Sequence, residues 1–340
     1  MPNTLKRLAM KIPAIARLRE GRSAALAENA RLAAGLKTAE DLVQLLRAQI
    51  SRAQPTLDHL EDFKAYHIGR REAGFVAELD YPYFPRVMNW DLEAGNPWMT
   101  LIAARREDYK CLLASFCEFQ PSLNRISLDE PADVEQPYWS NNWLPILDSI
   151  SIYCFLAKNN PKLYLEVGSG NSTKFARRAV RDHGLQTKII SIDPMPRAEI
   201  DKICDEVVRA GLQDTDLSVF DRLQPGDITF IDNSHRSFQN SDVTVFFTKV
   251  LPSLKAGCIY GIHDIFLPRD YPDQWTDRYY NEQYLLMMYL LGGAMGDEIM
   301  LPVAYTVTEK DILSALNPLL NSGTLVGIRP IGGAFWMTKR

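Results

Sequence analysis

Four polar residues stand where two short apolar runs end. Ile228-Thr229-Phe230-Ile231 leads into Asp232, with His235 three positions on, and Ile259-Tyr260-Gly261-Ile262 leads into His263 and Asp264. Imidazole titrates near neutral pH, which suits a general base, and a neighbouring carboxylate can orient it. His235 is the first candidate for such a base, with Asp232 beside it and His263 as the second candidate. Asp232 and Asp264 could also share a divalent cation: magnesium through oxygen donors alone, manganese or iron if an imidazole joins them. The same acids could instead cap helices or bind loop amides, and either histidine could be a hydrogen-bonded loop residue. His59, His67 and His183 have no comparable surroundings.

A second constellation could hold a nucleoside. Leu163-Tyr164-Leu165-Glu166-Val167 is a bulky β-type run, followed by Gly168-Ser169-Gly170-Asn171-Ser172-Thr173 and a helical stretch over 174–180. Glycines let the backbone turn sharply and approach a ligand, and amides at a helix start can bind its polar atoms. The next β-type run ends at Asp193, whose carboxylate can accept both hydroxyls of a ribose. A dinucleotide fingerprint would want a third glycine where Thr173 stands.

Glu166-x-Gly168-x-Gly170-x-Ser172 resembles the first motif of class I S-adenosylmethionine-dependent methyltransferases, in which an acid precedes a glycine pair. The resemblance implies S-adenosylmethionine as cofactor. It places Glu166 near the amino acid part, Gly168, Ser169, Gly170 and Ser172 beneath the cofactor, Asp193 on the ribose, and Asp232 at the same site. Residues 231–235, 251–257, 263–268 and 281–286 are similar to a bacterial methyltransferase family associated with surface-glycan and secondary-metabolite biosynthesis. That likeness covers roughly the C-terminal half and implies O-methylation of a sugar or another small polar acceptor. In related sugar O-methyltransferases a metal, magnesium or manganese here, lies at the strand ends matching Asp232 and Asp264, commonly with a further acid beside the latter; in this chain that neighbour is His263. Asn233 stands where the family has glycine, which leaves the tightness of that turn open.

Placing these residues together takes alternating strands and helices. Runs at 163–167, 188–193, 205–208, 226–232, 258–264, 298–307 and 333–339, with a helix over 243–251, predict a doubly wound, Rossmann-like seven-stranded α/β sheet with its ligand-facing residues at strand C-termini. A loop over 266–275, rich in aromatics, is expected above the acceptor, followed by a helix that includes 284–291. The chain then divides into a basic, helical extension over 1–50, an aromatic-rich cap or linker over 51–155 and the methyltransferase domain over 156–340.

In the extension, Leu5, Leu8, Ile12 and Ile15 have helical spacing among six basic residues, a pattern for an anionic membrane face or a packed partner. Leu32, Leu36, Val43, Leu46 and Ile50 predict a helical hairpin or short coiled coil, interrupted at Gly35 and restarting at a capping box over 38–41. The aromatics of 81–85 and 137–143 suit either a lid over a substrate or packing at the core edge.

The 340 residues are 46% hydrophobic and 24% charged with a net charge of −4, a globular balance without the basic excess of a nucleic-acid binder. Five scattered cysteines without a C-x-x-C pair suggest free thiols in a reducing compartment. With no run long and apolar enough to span a bilayer, a cytoplasmic protein is expected, touching the inner membrane face at most through its basic segment. Homo-oligomerisation is left open. Two rival functions stand beside methyl transfer: a nucleoside-binding scaffold for glycan assembly, and a metal-dependent oxidase or hydroxylase on the same fold.

Overall fold

A computed structural model describes residues 13–33, 39–74, 76–77, 79–88, 90, 96–196 and 198–340. The chain divides into two compact units, Met1–Tyr83 and Phe84–Arg340.

The first unit contains helices α1 (Pro13–Ala33) and α2 (Ala39–Glu72). The side-chain amides of Asn29 on α1 and Gln49 on α2 exchange hydrogen bonds at 3.2 and 3.3 Å, so the two helices touch at this point. Val43, Leu46 and Ile50 are exposed on α2. Leu5, Leu8 and Ile12 of the basic segment, Gly35, Leu36 and the capping residue Thr38 lie outside the described residues.

The second unit is built on a seven-stranded sheet. Strands β1 (Leu163–Val167), β2 (Lys188–Ile192), β3 (Glu206–Val208), β4 (Ile228–Ile231), β5 (Ile259–Ile262), β6 (Glu298–Pro302) and β7 (Phe335–Thr338) take the order β3-β2-β1-β4-β5-β7-β6. The first five are mutually parallel, and β7 runs antiparallel to both β5 and β6. Every residue of β1, β4 and β5 is buried, as expected for strands covered on both faces. This is the Rossmann-like α/β architecture that the alternation of runs predicts.

Flanking helices supply the cover. Helix α3 (Pro97–Ala103) and helix α4 (Arg106–Phe116) precede the sheet, and α4 buries Tyr109, Leu113 and Phe116. Helix α5 (Ile146–Asn159) is apolar on nearly every side and packs against α6 (Asn171–His183), the helix that follows the glycine turn. Trp139, from the aromatic run of 137–143, is buried with its ring 5.1 Å from that of Phe175, so this part of the run packs into the core. After β4, helix α7 (Asp242–Val245) continues through a wide π turn into residues 251–253. Helix α8 (Glu282–Leu291) follows the aromatic loop after β5.

One expected strand is shorter than the sequence implied. The run over 298–307 is strand only to Pro302, and Val303–Thr308 is helical (α9). Pro302 has no N–H to carry the ladder on. The helix beyond it buries Val303, Tyr305 and Thr306, with Tyr305 hydrogen-bonded to Arg106. Tertiary packing outweighs their strand propensity there.

Candidate functional site

The strand order turns at β1, which has β2 on one side and β4 on the other, and a crevice forms beyond the carboxyl ends of these strands. A cavity of about 250 Å³ opens there, lined by Gly168, Ser169, Asp193, Met195, Gln213 and Asp232 among others. Gly168 has φ +76°, and a Cβ at this position would lie 1.7 Å from the carbonyl oxygen of Asp232. Only glycine fits both the left-handed turn and that approach. The turn is fastened by the Gly168 N–H on the Ile192 carbonyl (2.9 Å) and the Asp232 N–H on the Val167 carbonyl (2.7 Å).

Asp193 closes the far side of the cavity. Its carboxylate accepts the N–H groups of Ser169 and Met195, both at 2.7 Å, and so ties the glycine turn to the end of β2. Gly170 and Ser172 line a small adjoining recess together with Ser169, Asp232 and the indole of Trp143. Glu166 is fully buried and faces the start of α6. Its carboxylate accepts the hydroxyl of Tyr164 at 2.9 Å and that of Thr173 on its other oxygen. Burial pushes Glu166 up to about 7, against hydrogen bonds from Ser172, Thr173 and Tyr164 that favour its charged form.

Beside the cavity, the residues after β4 and β5 form one cluster. Asp232 Oδ1 lies 3.1 Å from His263 Nδ1 and 3.4 Å from His235 Nε2. Asp264 Oδ2 lies 3.4 Å from the same His235 Nε2. Both His235 and Asp264 adopt positive φ, at 59° and 54°, a conformation that side-chain-bearing residues hold only when their surroundings enforce it. Desolvation works against a charged imidazole, but its hydrogen bonds to the carboxylates of Asp232 and Glu282 and the charge of Asp264 outweigh it and raise His235 to about 10. Burial likewise opposes charge on His263, yet Asp232 and Asp264 lift it well above the ordinary histidine range. Desolvation also disfavours ionised Asp232, but His263 and His235 hold it well below the usual carboxylate range.

Two further acids complete the cluster: Glu282, inside the family-like segment 281–286, and Asp148, which no motif marks. Glu282 is fully buried; its Oε2 lies 2.9 Å from His235 Nδ1 and its Oε1 accepts the amide of Asn233 at 2.9 Å. Asp148 is a lone acid on the apolar α5, also fully buried, and its Oδ2 lies 3.2 Å from His263 Nε2. It is fixed by the N–H groups of Gly333 and Ala334 at 2.8 to 3.0 Å. The available hint was burial logic alone: an acid in an otherwise apolar helix needs a partner.

Asn233 settles the turn left open by the sequence. Its side-chain oxygen accepts the His235 N–H at 2.8 Å while its amide donates to Glu282, so asparagine makes the turn with its own side chain. Aromatic rings from the loop after β5 border the cluster. The Tyr280 ring lies 4.8 Å from that of His235, with Trp275 at 5.7 Å and Tyr271 at 6.0 Å from Tyr280. The guanidinium carbons of Arg236 and Arg278 sit 5.0 and 5.5 Å from the Tyr280 ring centre.

The residues do not present a metal-binding donor set. Among the described residues, no group of three or more His, Cys, Asp or Glu is arranged to hold an ion. The oxygens of Asp232 and Asp264 that face inward are turned to imidazole nitrogens, and both nitrogens of His263 face carboxylates. Asp232 and Asp264, expected to pair around magnesium or manganese, lie among imidazoles in this structure. Among the described residues no helix is long and apolar enough to cross a membrane.

Residues 165–265 match a family model described as a methyltransferase domain. No curated protein matches the chain in sequence. Among solved structures the chain is similar to the SAH-bound methyltransferase PaMTH1 of Podospora anserina, at 14% identity over 74% of this chain and 100% of that one, with a TM-score of 0.36. It is also similar to an O-methyltransferase from Bacillus cereus in complex with SAH, at 16% identity over 66% and 91% of the two chains with a TM-score of 0.35. A third is the O-methyltransferase TomG from Streptomyces achromogenes with SAM, at 15% identity, 67% and 89% coverage and a TM-score of 0.33. At these TM-scores the structural likenesses carry nothing further. The matched segment takes in the glycine turn, Asp193, Asp232, His235, His263 and Asp264, on a parallel sheet whose crevice lies at β1 and β4. The chain carries a methyltransferase domain over residues 165–265.

Proposed function

We propose that this domain methylates an oxygen of a small polar acceptor, a carbohydrate hydroxyl by preference, with His235 as the base. The observation that carries this reading is the double position of Asp232: it lines the cavity beside Gly168 and Asp193 and contacts both His235 and His263. S-adenosylmethionine supplies a methyl group on a sulfonium, and an in-line acceptor oxygen must lose its proton as it attacks. Asp193 holds the nucleoside end, and the glycine turn lets the cofactor pass close to the backbone. Glu166 serves from behind, keeping the first turn of α6 in place through Thr173.

His235 Nε2 lies 3.4 Å from an oxygen of both Asp232 and Asp264, so an acceptor hydroxyl that displaces either carboxylate meets the nitrogen directly. The neighbours that orient His235 also hold a proton on it at neutral pH, so the rate should rise as pH climbs toward about 10. The sugar preference rests on the family resemblance and on the aromatic rings of Trp275 and Tyr280 beside His235, which suit the apolar face of a sugar. Convergence of His235 and Asp264 with Asp232, which lines the cavity, favours catalysis over a scaffold role.

Calorimetric titration with S-adenosylmethionine and S-adenosylhomocysteine, on the wild type and on Asp193→Ala, tests the cofactor site. Saturable binding that the variant loses supports it, and a folded wild type that binds neither ligand refutes it. A sugar acceptor screen follows, in which His235→Asn should lower turnover by roughly 10²- to 10⁴-fold, the usual worth of a general base. Undiminished turnover in that variant would remove His235 from the role.

A further inference from the structure

His263 stands where the resembled sugar methyltransferases have an acid, and its surroundings explain what an imidazole does there. Nδ1 lies 3.1 Å from Asp232 Oδ1 and 3.7 Å from Asp264 Oδ1, while Nε2 lies 3.2 Å from Asp148 Oδ2. With carboxylates at both nitrogens, the ring turns neither nitrogen to open space where a metal could bind it. His263 is 2% exposed and Asp148 is wholly buried, so this ring is an enclosed part of the site.

Its anchor is also built in. Asp148 accepts the N–H groups of Gly333 and Ala334, and a Cβ on Gly332 would come within 2.6 Å of Asp148 Oδ1. The chain before β7 is therefore shaped around this carboxylate, which fixes the far side of the His263 ring. Asp232 and Asp264, the two oxygen donors a divalent ion would need, spend their inward oxygens on imidazoles.

We propose that the His263 ring, clamped between Asp148 and Asp232, takes the place of an oxygen ligand at this site and that the domain binds cofactor and works without a divalent metal. The inference rests on the methyltransferase reading. His263 acts as a positioning residue: its ring holds the Asp232 carboxylate at the cavity wall, next to His235.

Manganese binding followed by electron paramagnetic resonance on the full chain, with calorimetric S-adenosylmethionine binding measured on the same preparation, provides the test. The wild type should show no saturable manganese binding and should bind S-adenosylmethionine equally well with and without a chelator. His263→Glu in an Asp148→Asn background, which sets an acid beside Asp232 and Asp264 and removes the carboxylate behind it, should gain saturable manganese binding. Saturable manganese binding by the wild type that is lost in Asp264→Asn would overturn the proposal. So would cofactor binding that the chelator abolishes and manganese restores. Should the double variant not fold, the wild-type titration and the chelator comparison decide alone. A wild type that binds no cofactor under any condition defeats the methyltransferase reading instead, and the manganese titration still reports on the cluster.

Discussion

Glu282 holds His235 from the side away from the cavity, with its Oε2 2.9 Å from Nδ1, while the N–H next to it in sequence, that of Asn281, donates to the His235 carbonyl at 2.9 Å. The first turn of α8 therefore fixes both the ring and the backbone of the residue proposed as base. Glu282→Gln keeps the shape and removes one of the negative charges that stabilise the imidazolium, so the His235 pKa should fall from about 10. Side-chain NMR titration of the histidines would follow this directly; an unmoved His235 resonance in the variant would show that Glu282 does not set its charge.

The raised His235 also makes stability depend on pH in a definite direction. A histidine whose folded pKa lies above the ordinary 6.5 contributes stability that is fully present below 6.5 and is lost as pH rises through about 10. Urea unfolding across that window should show stability declining in the wild type and a shallower decline in His235→Gln. Equal slopes in the two proteins would mean that the proton is held elsewhere in the cluster.

Glu166 has the opposite linkage from the usual salt-bridged acid. Its folded pKa of about 7 lies above the ordinary 4.5, so stability falls as pH rises between those values, and the cost persists above 7. The size of that cost is on the order of 3 kcal/mol, from the worth of a pKa unit. Glu166→Gln should flatten this part of the stability profile while leaving Tyr164 and Thr173 with a partner; thermal unfolding at pH values inside and above the window would reveal it.

Gly168→Ala should be among the most damaging single-methyl substitutions in the chain. The added carbon would fall 1.7 Å from the Asp232 carbonyl oxygen, a backbone atom that cannot swing away, at φ +76°. Strain of this kind costs about 1 to 3 kcal/mol before the clash is counted. A lower melting temperature together with lost S-adenosylmethionine binding is expected, whereas Gly170→Ala meets no atom within 4 Å of its new carbon. Equal damage at both glycines would show that the turn tolerates the close approach.

Local pattern was enough for β1, the glycine turn, α6 and the acid ending β2, because each depends on a short run of residues: bulky β-formers, then glycine, then helix formers. The strand-end positions of Asp232, His235, His263 and Asp264 were legible for the same reason. The run over 298–307 was misread because β-branched residues have one propensity and two uses, and Pro302 with the packing of Val303 and Tyr305 chose the helix.

What the sequence by itself determined is the α/β class, the nucleoside crevice and the family of the segment 165–265, all of which follow from residue types at fixed short spacings. What only the tertiary structure decided is the chemistry around Asp232. Asp148 and Glu282 reach the two histidines across 115 and 47 positions of chain. The strength of a charge pair depends on distance through space and on exclusion of water, neither of which a spacing along the chain records.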